Sequence, residues 1–388
     1  MGIEAKEKTA LATSVGADER QSFQTIYENS IPTSEPEIND QDEISEESFE
    51  EMCRQMQRIS DPAYMHTVTL SQLFEKVFPS RPPVIDGLLY NGAYLIAGAP
   101  KVGKSFLVAQ IAYHVSTGQP LWGYPVHKGT VLYLALEDDY QRLQERMSRM
   151  FGVEGNGDLF FSTCAKTVGN GLDGQIENFI RAHPNTNLII IDTLQKVREV
   201  GGEAYSYAND YEVIGRLKKL ADAKDICLLI VHHTRKQQAS DSFEMISGTQ
   251  GLIGAADGAL VLQKEKRTDR TATLEVTGRD QPEQKIYLIR DEAHLTWLLD
   301  HAETELWKEP PDPLLEKVAA LLTEEKPEWA GRASELVEAL QEEIQPNTLT
   351  KRLNVKAGTL SDHYHVAYSS KRTRNGSYIQ LKRLALEV

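Results

Sequence analysis

The sequence predicts an α/β fold in which a mostly parallel sheet ends in antiparallel hairpins, followed by a small C-terminal domain. Between residues 66 and 300, short runs of Val, Ile, Leu and Tyr alternate with helical stretches, which is typical of βα units around a parallel sheet. The last four apolar runs follow one another without long helices, which indicates hairpins. A chain of 388 residues is long enough for two or three domains.

Nine segments have the composition of strands, and a helical run over 106–117 follows the first of them. The predicted strands are 93–97, 130–136, 158–163, 188–191, 226–232, 258–263, 271–277, 285–289 and 295–299. Three prolines within 308–313 disfavour helix and indicate a linker. The predicted organisation is therefore a segment 1–63, an α/β domain 64–307, the linker 308–313 and a C-terminal domain 314–388.

The net charge of −15 is unevenly distributed along the chain. Residues 1–60 contain 14 acids and five bases, which predicts a disordered acidic tail, although a partner-binding helix over 40–51 is an alternative. Residues 345–388 carry eight bases and two acids, a local net charge of +6. The acidic total therefore does not exclude nucleic acid as a partner.

The cysteines and the apolar runs exclude several other classes. Cys53, Cys164 and Cys227 are far apart and match neither a disulfide framework nor a thiolate zinc site. No run approaches the ~18 apolar residues of a membrane span. We expect a cytoplasmic protein.

A GxxxxGK[ST] motif joins the first strand to the first long helix. Its glycines let backbone N–H groups wrap the phosphates of a nucleotide, and the helix N-terminus adds partial positive charge. We expect Lys104 to reach the β- and γ-phosphates and Ser105 to bind Mg²⁺; a glycine-rich turn with an exposed lysine is the alternative. The predicted nucleotide-binding residues are Gly98, Ala99, Pro100, Lys101, Val102, Gly103, Lys104, Ser105 and Phe106.

Acidic residues follow two other predicted strands. Asp192 ends the run 188–191 in the form of a Walker B acid that holds Mg²⁺, although it could also cap the following loop. Glu137 is the first of three acids after the second strand. We expect this strand to end beside the phosphate-loop strand, so that Glu137 faces the γ-phosphate as a general base. Asp138 and Asp139 could instead cap the next helix.

Two histidines, His232 and His233, end the fifth strand. A polar side chain there can contact the γ-phosphate and act as a sensor of its presence. A zinc site is disfavoured, because adjacent strand residues point to opposite faces and no third ligand is near in the sequence.

In this order, GAPKVGKS, YLALEDD, LIIIDTLQK, LIVHHTRK and the segment 247–257 resemble the RecA-fold ATPases, and more closely the RepA-type hexameric replicative helicases of plasmids and mobile elements. The resemblance covers residues 87–290. It implies ATP and Mg²⁺ as cofactors, Glu137 as catalytic base and His232 and His233 as sensor. It also implies a ring, hexameric in this family, with ATP at the subunit interfaces.

The same resemblance implies that a basic residue from the neighbouring subunit completes each site. Arg279 is the matching residue, but Thr277 stands where related helicases often carry a lysine. Arg270 or Arg290 could share this role, and an ion pair with the residue after Arg279, on an edge strand, is the alternative. By the same analogy Arg146 would stack on adenine.

Loops 196–209 and 235–246 would face the channel of such a ring. They combine bases with tyrosines, which suits single-stranded DNA, although ordinary solvated loops are equally compatible. The predicted contacts are Lys196, Arg198, Arg235 and Lys236.

The C-terminal domain resembles a winged helix. Three helices, over 314–322, 333–340 and 346–353, precede a hairpin of strands 364–369 and 377–382 with a basic tip. The predicted DNA contacts are Lys351, Arg352, Lys371, Arg372 and Arg374. A protein partner is the alternative, because the second helix is acidic.

Together these features predict an ATP-driven, ring-forming DNA helicase of a mobile element. One alternative is an ATP-dependent DNA-binding regulator or partition-type switch that does not unwind DNA. Another is a RecA-like ATPase that acts on protein partners.

Overall fold

The structure, a computed structural model, describes residues 63, 65, 67–78, 82–198, 207–233, 250–266, 268–279, 281–303, 312–373 and 376–384. The chain divides into two compact units, residues 1–73 and 74–388. The predicted acidic tail lies outside the described residues up to residue 62, and so do residues 304–311, which include most of the predicted linker.

The helices and strands are numbered in chain order. The helices are α1 (Leu70–Glu75), α2 (Lys104–Thr117), α3 (Tyr140–Phe151), α4 (Leu172–Ala182), α5 (Leu194–Val197), α6 (Tyr207–Lys224), α7 (Gln250–Ala255), α8 (Pro313–Ala320), α9 (Ala333–Leu340), α10 (Pro346–Val355) and α11 (Ala357–Tyr364). The strands are β1 (Gly92–Gly98), β2 (Thr130–Ala135), β3 (Leu159–Ser162), β4 (Thr186–Asp192), β5 (Cys227–His233), β6 (Gly258–Gln263), β7 (Thr271–Gly278), β8 (Gln281–Arg290), β9 (Trp297–Ala302), β10 (Glu328–Arg332), β11 (Val366–Thr373) and β12 (Gly376–Arg383). None of these described helices is long and apolar enough to cross a membrane.

The described strands form a nine-stranded sheet in the order β3-β2-β4-β5-β1-β6-β7-β8-β9 and a three-stranded sheet in the order β10-β12-β11. Neighbours from β3 to β6 are parallel, and β6, β7, β8 and β9 pair as antiparallel hairpins. The predicted fold class is therefore confirmed. All nine strands predicted for the α/β domain are present, with their ends shifted by a few residues.

One expectation about this sheet is wrong. The second strand does not end beside the phosphate-loop strand, because β4 and β5 lie between β2 and β1. Strand order depends on how each crossover helix packs, and a series of fully apolar runs does not encode that choice. The carboxyl ends of all four strands still meet at one edge of the sheet, so Glu137 remains on the same side as the phosphate loop.

Strand β1 is buried on both faces of the large sheet. Tyr94 and Ile96 belong to an apolar cluster that includes α2 and α3, whereas Leu95 and Ala97 belong to a second cluster that includes α4 and α6. Successive strand residues point to opposite faces, so one run of seven buried residues joins both layers. Each fully buried large aliphatic side chain contributes ~1.5–3 kcal/mol, which fixes the strand that carries the phosphate loop.

The C-terminal domain has its own apolar cluster and contains one more helix and one more strand than predicted. Helix α11 follows α10 after a single residue, Lys356, whose φ of −98° and ψ of 13° interrupt the helix. Strand β10 pairs antiparallel with β12, some 50 residues later in the chain. These elements are short and depend on distant partners, so the sequence pattern did not indicate them.

Two boundaries of the C-terminal domain also differ from the prediction. Helix α8 begins inside the predicted linker, at Pro313, and the Asp312 side chain caps it by accepting from the Leu314 N–H at 3.0 Å. Proline is tolerated at this first position because its missing N–H is not needed there. Strand β11 runs to Thr373, so Lys371 and Arg372 lie in the strand rather than at the hairpin tip.

Candidate active site

The phosphate loop connects β1 to α2, and its conformation depends on two glycines. Gly103 has a φ of +111°, and a Cβ there would lie 2.8 Å from the ring of Trp297. At Gly98, a Cβ would lie 2.4 Å from the carbonyl oxygen of Leu262 in the neighbouring strand. Both positions therefore exclude larger residues, for reasons of backbone conformation and space.

Lys104 is buried at the start of α2. Its ammonium donates to the carbonyl oxygens of Gly98 at 2.7 Å and Ala99 at 3.1 Å, and it lies 3.0 Å from Nδ1 of His233. Burial lowers the pKa of Lys104 to about 8, although the charges of Asp192 and Glu137 partly oppose this shift. A phosphate group would offer this ammonium stronger acceptors than the neutral carbonyl oxygens.

The candidate metal ligands Ser105 and Asp192 are hydrogen-bonded to each other. Burial raises the pKa of Asp192, and the hydrogen bonds from Ser105 and from the Tyr133 hydroxyl, which donates to Oδ2 at 2.9 Å, oppose this rise. A hydroxyl and a carboxylate oxygen are ligands that Mg²⁺ prefers, so this pair fits the predicted metal. When bound, Mg²⁺ would neutralise charge on the β- and γ-phosphates.

The three consecutive acids after β2 have three different environments. Asp139 caps α3 by accepting from the Arg142 N–H at 2.8 Å. Asp138 holds the guanidinium of Arg146 at 2.7 and 3.1 Å. Glu137 is exposed and accepts from the Thr193 hydroxyl at 3.1 Å, next to Asp192. Among the three, Glu137 has its carboxylate available on the side of Lys104 and Asp192, as a general base requires.

Of the paired histidines, His233 lies against Lys104. Its pKa is lowered, first by burial and then by the Lys104 charge, so the neutral ring is favoured. This places His233 where a sensor of the γ-phosphate is expected, whereas His232, the preceding strand residue, points to the other face of the sheet. Among the described residues, no group of three His, Cys, Asp or Glu side chains could hold a metal ion.

Arg279 lies at the opposite edge of the sheet from the phosphate loop. Gly278 pairs with Gly258 at the start of β6, and the Arg279 N–H donates to the Asp257 carbonyl oxygen at 2.9 Å. The guanidinium is exposed and lies 3.9 Å from the Asp257 carboxylate. Its strand, β7, lies between β6 and β8 and is not an edge strand, contrary to the alternative interpretation.

The other two candidate finger residues are engaged within the subunit. Arg270 is exposed and forms an ion pair with Glu292 at 2.8 Å. Arg290 is half-buried, with its guanidinium 4.2 Å from the centre of the Phe106 ring. Arg146, predicted to stack on adenine, lies 5.2 Å from the same ring. Arg290 is therefore packed against its own phosphate-loop helix.

Sequence reasoning missed the residues that support the phosphate loop from behind. Trp297 is buried, and its backbone N–H and carbonyl oxygen both bond to the side chain of Gln110 on α2, at 2.8 and 2.9 Å. Trp122 also donates to the Trp297 carbonyl oxygen, at 2.7 Å. These partners are separated by up to 187 residues, so no local pattern indicates the contact.

The predicted DNA contacts are only partly within the described residues. Lys196 is exposed on α5 and Arg198 follows it, whereas Arg235, Lys236 and Arg374 lie outside the described residues. In the C-terminal domain, Lys351 is half-buried, Arg352 forms an ion pair with Asp312 at 3.4 Å, Lys371 is exposed, and Arg372 forms an ion pair with Glu75 at 2.7 Å.

The fold and the site define a RecA-like P-loop ATPase domain. A family model described as an AAA domain matches residues 57–239. Among curated proteins, the chain is 29% identical over 182 residues to the DNA repair protein RadA of Streptococcus pneumoniae, covering 46% of this chain and 37% of RadA. It is 22% identical over 204 residues to RadA of Helicobacter pylori, covering 52% and 40%. The chain thus spans well under half the length of these relatives.

Two solved structures are similar to the chain. One is a helicase-sized ATPase domain solved by itself, with a TM-score of 0.48 and 15% identity, covering 64% of this chain and 97% of that one. The other is a DnaB-like replicative helicase, with a TM-score of 0.44 and 15% identity, covering 71% and 74%. Both likenesses concern the fold alone.

The lowered pKa of Lys104 predicts that nucleotide affinity depends on pH. Phosphate binding needs the ammonium form, which deprotonates above about pH 8 in the free site. We therefore expect constant ADP affinity at lower pH and a loss approaching about tenfold per unit above that value. Calorimetric titration with ADP between about pH 6.5 and 9.5 tests this. A Lys104→Arg variant that still binds ADP should show no such inflection; the same inflection in that variant would contradict the assignment.

Proposed function

We propose that the protein is an ATP-hydrolysing, ring-forming DNA helicase that translocates on single-stranded DNA. The site supports ATP hydrolysis, because Lys104 is placed for phosphate, Ser105 and Asp192 for Mg²⁺, and Glu137 for activating water. The resemblance to RepA-type helicases favours a role in replicating a plasmid or another mobile element. The matched RadA proteins are named for DNA repair, which also favours work on DNA.

The position of Arg279 is the observation that carries the ring. Seven residues of β1, at ~3.3 Å each, separate the start of that strand from the phosphate loop, and Arg279 lies beside its start. The exposed guanidinium is therefore about 20 Å from the phosphate loop of its own subunit. A second copy is needed to bring an Arg279 to each site, and repeating this contact around an axis closes a ring.

The basic surfaces give the proposed ring two places to contact DNA. Lys196 and the loops after β4 and β5 would line the channel and hold a single strand. In the C-terminal domain, α10 and α11 form a helix pair joined by one residue just before the β11–β12 hairpin, the order found in winged helices. We propose that α11 and the hairpin, which carries the exposed Lys371 and Arg372, bind duplex DNA or a replication partner.

This C-terminal domain also keeps a second candidate function open. A DNA-bound regulator or partition-type switch would use the same helix pair and hairpin, with ATP as a signal. It would bind duplex DNA tightly, turn ATP over slowly and leave a fork intact.

A forked-duplex assay separates the two functions. The helicase predicts ATP-dependent strand separation by the wild type, and loss of both unwinding and most ATPase activity in Arg279→Ala, because fingers of this kind contribute about 10³–10⁵ in rate in the enzymes where they are measured. Arg270→Ala should behave as wild type, because Arg270 is paired within its own subunit. Tight duplex binding without unwinding would instead support the regulator.

Mixing two inactive variants tests whether Arg279 acts on a neighbour. Lys104→Ala subunits cannot use their own site but still present Arg279, whereas Arg279→Ala subunits keep an intact phosphate loop. Mixed oligomers should therefore regain ATPase activity that neither variant has alone. If mixing restores nothing although both variants form oligomers together, Arg279 is not a finger in trans.

A further inference from the structure

Five side chains beside the phosphate loop form an alternating stack of cations and rings. In order they are Lys264, Trp297, Arg290, Phe106 and Arg146, with 5.3, 5.0, 4.2 and 5.2 Å between each cation and the neighbouring ring centre. We call this stack the cation–aromatic ladder. It touches the phosphate loop directly, because Phe106 follows Ser105 and the Trp297 ring packs on Gly103.

The positive charge of the cation–aromatic ladder is only partly neutralised. Arg146 has Asp138 as its partner, but among the described residues no carboxylate lies within ion-pair distance of Arg290 or Lys264. Lys264 donates to the Asp269 carbonyl oxygen at 2.8 Å. Nη1 of Arg290 is buried and has no hydrogen-bond partner within the described part of the chain.

Burial and like charge act together on these two cations. Burial lowers the pKa of Arg290 to about 10, and the nearby Arg149 lowers it further. The pKa of Lys264 is lowered by burial and then by Arg290. A half-buried cation with an unsatisfied donor is costly unless an anion pairs with it. The missing component of this cluster is therefore an anionic oxygen.

The topology indicates which part of a nucleotide would supply that oxygen. Glu137, Asp192 and His233 follow β2, β4 and β5, on one flank of β1. Lys264, Arg290 and Trp297 belong to the ends of β6, β8 and β9, on the other flank. Backbone N–H groups of a phosphate loop hold the α- and β-phosphates, while its lysine reaches the β- and γ-phosphates. With the γ-phosphate near Glu137, the α-phosphate points toward the flank of Arg290.

We propose that Arg290 binds the α-phosphate of ATP bound to its own subunit, donating from the Nη1 that lacks a partner. Trp297 and Phe106 hold the guanidinium in place, and Lys264 adds positive charge to the same flank. This inference rests on the proposed ATPase function. It also separates two arginines of neighbouring strands by role: Arg279 acts on the neighbouring subunit, and Arg290 acts within its own.

The proposal predicts a loss of affinity that is specific to the α-phosphate. Arg290→Met should weaken binding of ADP and ATP to a similar extent, about 10- to 100-fold, with kcat at saturating ATP changed far less. Wild type should bind ADP more tightly than its α-thio analogue, because sulfur is the poorer acceptor, and Arg290→Met should lose this preference. Calorimetry with ADP and ADPαS measures both effects.

Three comparisons keep the outcome clear. Arg142→Met removes an exposed arginine from α3 and should leave ADP affinity unchanged. Arg290→Lys keeps the charge and most of the packing, so reduced discrimination between ADP and ADPαS in this variant supports the proposal even if Arg290→Met does not fold. Unchanged ADP affinity and thio preference in a folded Arg290→Met would overturn the inference, as would a loss of single-stranded DNA binding alone. Absence of ADP binding by the wild type would instead contradict the ATPase function itself.

Discussion

Replacing Lys104 by alanine is expected to abolish nucleotide binding, with at least an about 100-fold loss of ATP and ADP affinity. One charge-assisted hydrogen bond contributes ~1.5–3 kcal/mol, and each ~1.4 kcal/mol changes affinity tenfold. Lys104 is buried between Gly98, Ala99 and His233, so no other described side chain occupies its place. ATPase activity and ATP-dependent unwinding should disappear together. Calorimetry with ADP and a coupled ATPase assay measure these losses.

The stability of the same variant distinguishes loss of a ligand contact from loss of fold. The Lys104 ammonium is costly to bury, as its lowered pKa indicates, so its removal should leave the thermal unfolding temperature close to that of wild type. Lys128→Ala is the matched control, because Lys128 is an exposed lysine paired with Asp158 at 3.2 Å. ADP affinity that is unchanged in a folded Lys104→Ala would exclude the motif as the nucleotide site.

The large sheet was predictable because its signals are local. Each strand is a short apolar run, and each functional residue follows the end of such a run, where parallel strands meet at one edge. The phosphate loop carries its own constraint: a φ of +111° at Gly103 favours the glycine that the motif requires. Local patterns of this kind survive the arrangement of the rest of the chain.

What the sequence did not indicate depends on contacts between distant residues. The order of β2, β4, β5 and β1 follows from crossover packing, and the support of α2 by Trp297 joins residues 187 positions apart. The same holds for Arg290. As a sequence feature it is one arginine among several near Arg279, and its contact with Phe106 identifies its subunit and its role.

Glu137→Gln should separate catalysis from binding. If Glu137 activates the attacking water, its amide analogue keeps the shape and loses the base, so kcat should fall by about 10²- to 10⁴-fold while ADP affinity changes little. The hydroxyl of Thr193 can still donate to the amide oxygen, so the local structure should persist. Single-turnover ATP hydrolysis together with calorimetric ADP binding gives both numbers.

The neighbouring acids provide the comparison that the sequence alone left open. Asp139→Asn keeps an oxygen that can cap α3, so kcat should stay near the wild-type value. Asp138→Asn weakens the hold on Arg146, which lies over Phe106, so we expect it to act on nucleotide affinity rather than on kcat. A larger fall in kcat for Asp138→Asn or Asp139→Asn than for Glu137→Gln would assign the base to that residue. Because Glu137 alone of the three is tied neither to a helix N-terminus nor to an arginine, we expect the fall in kcat to be confined to it.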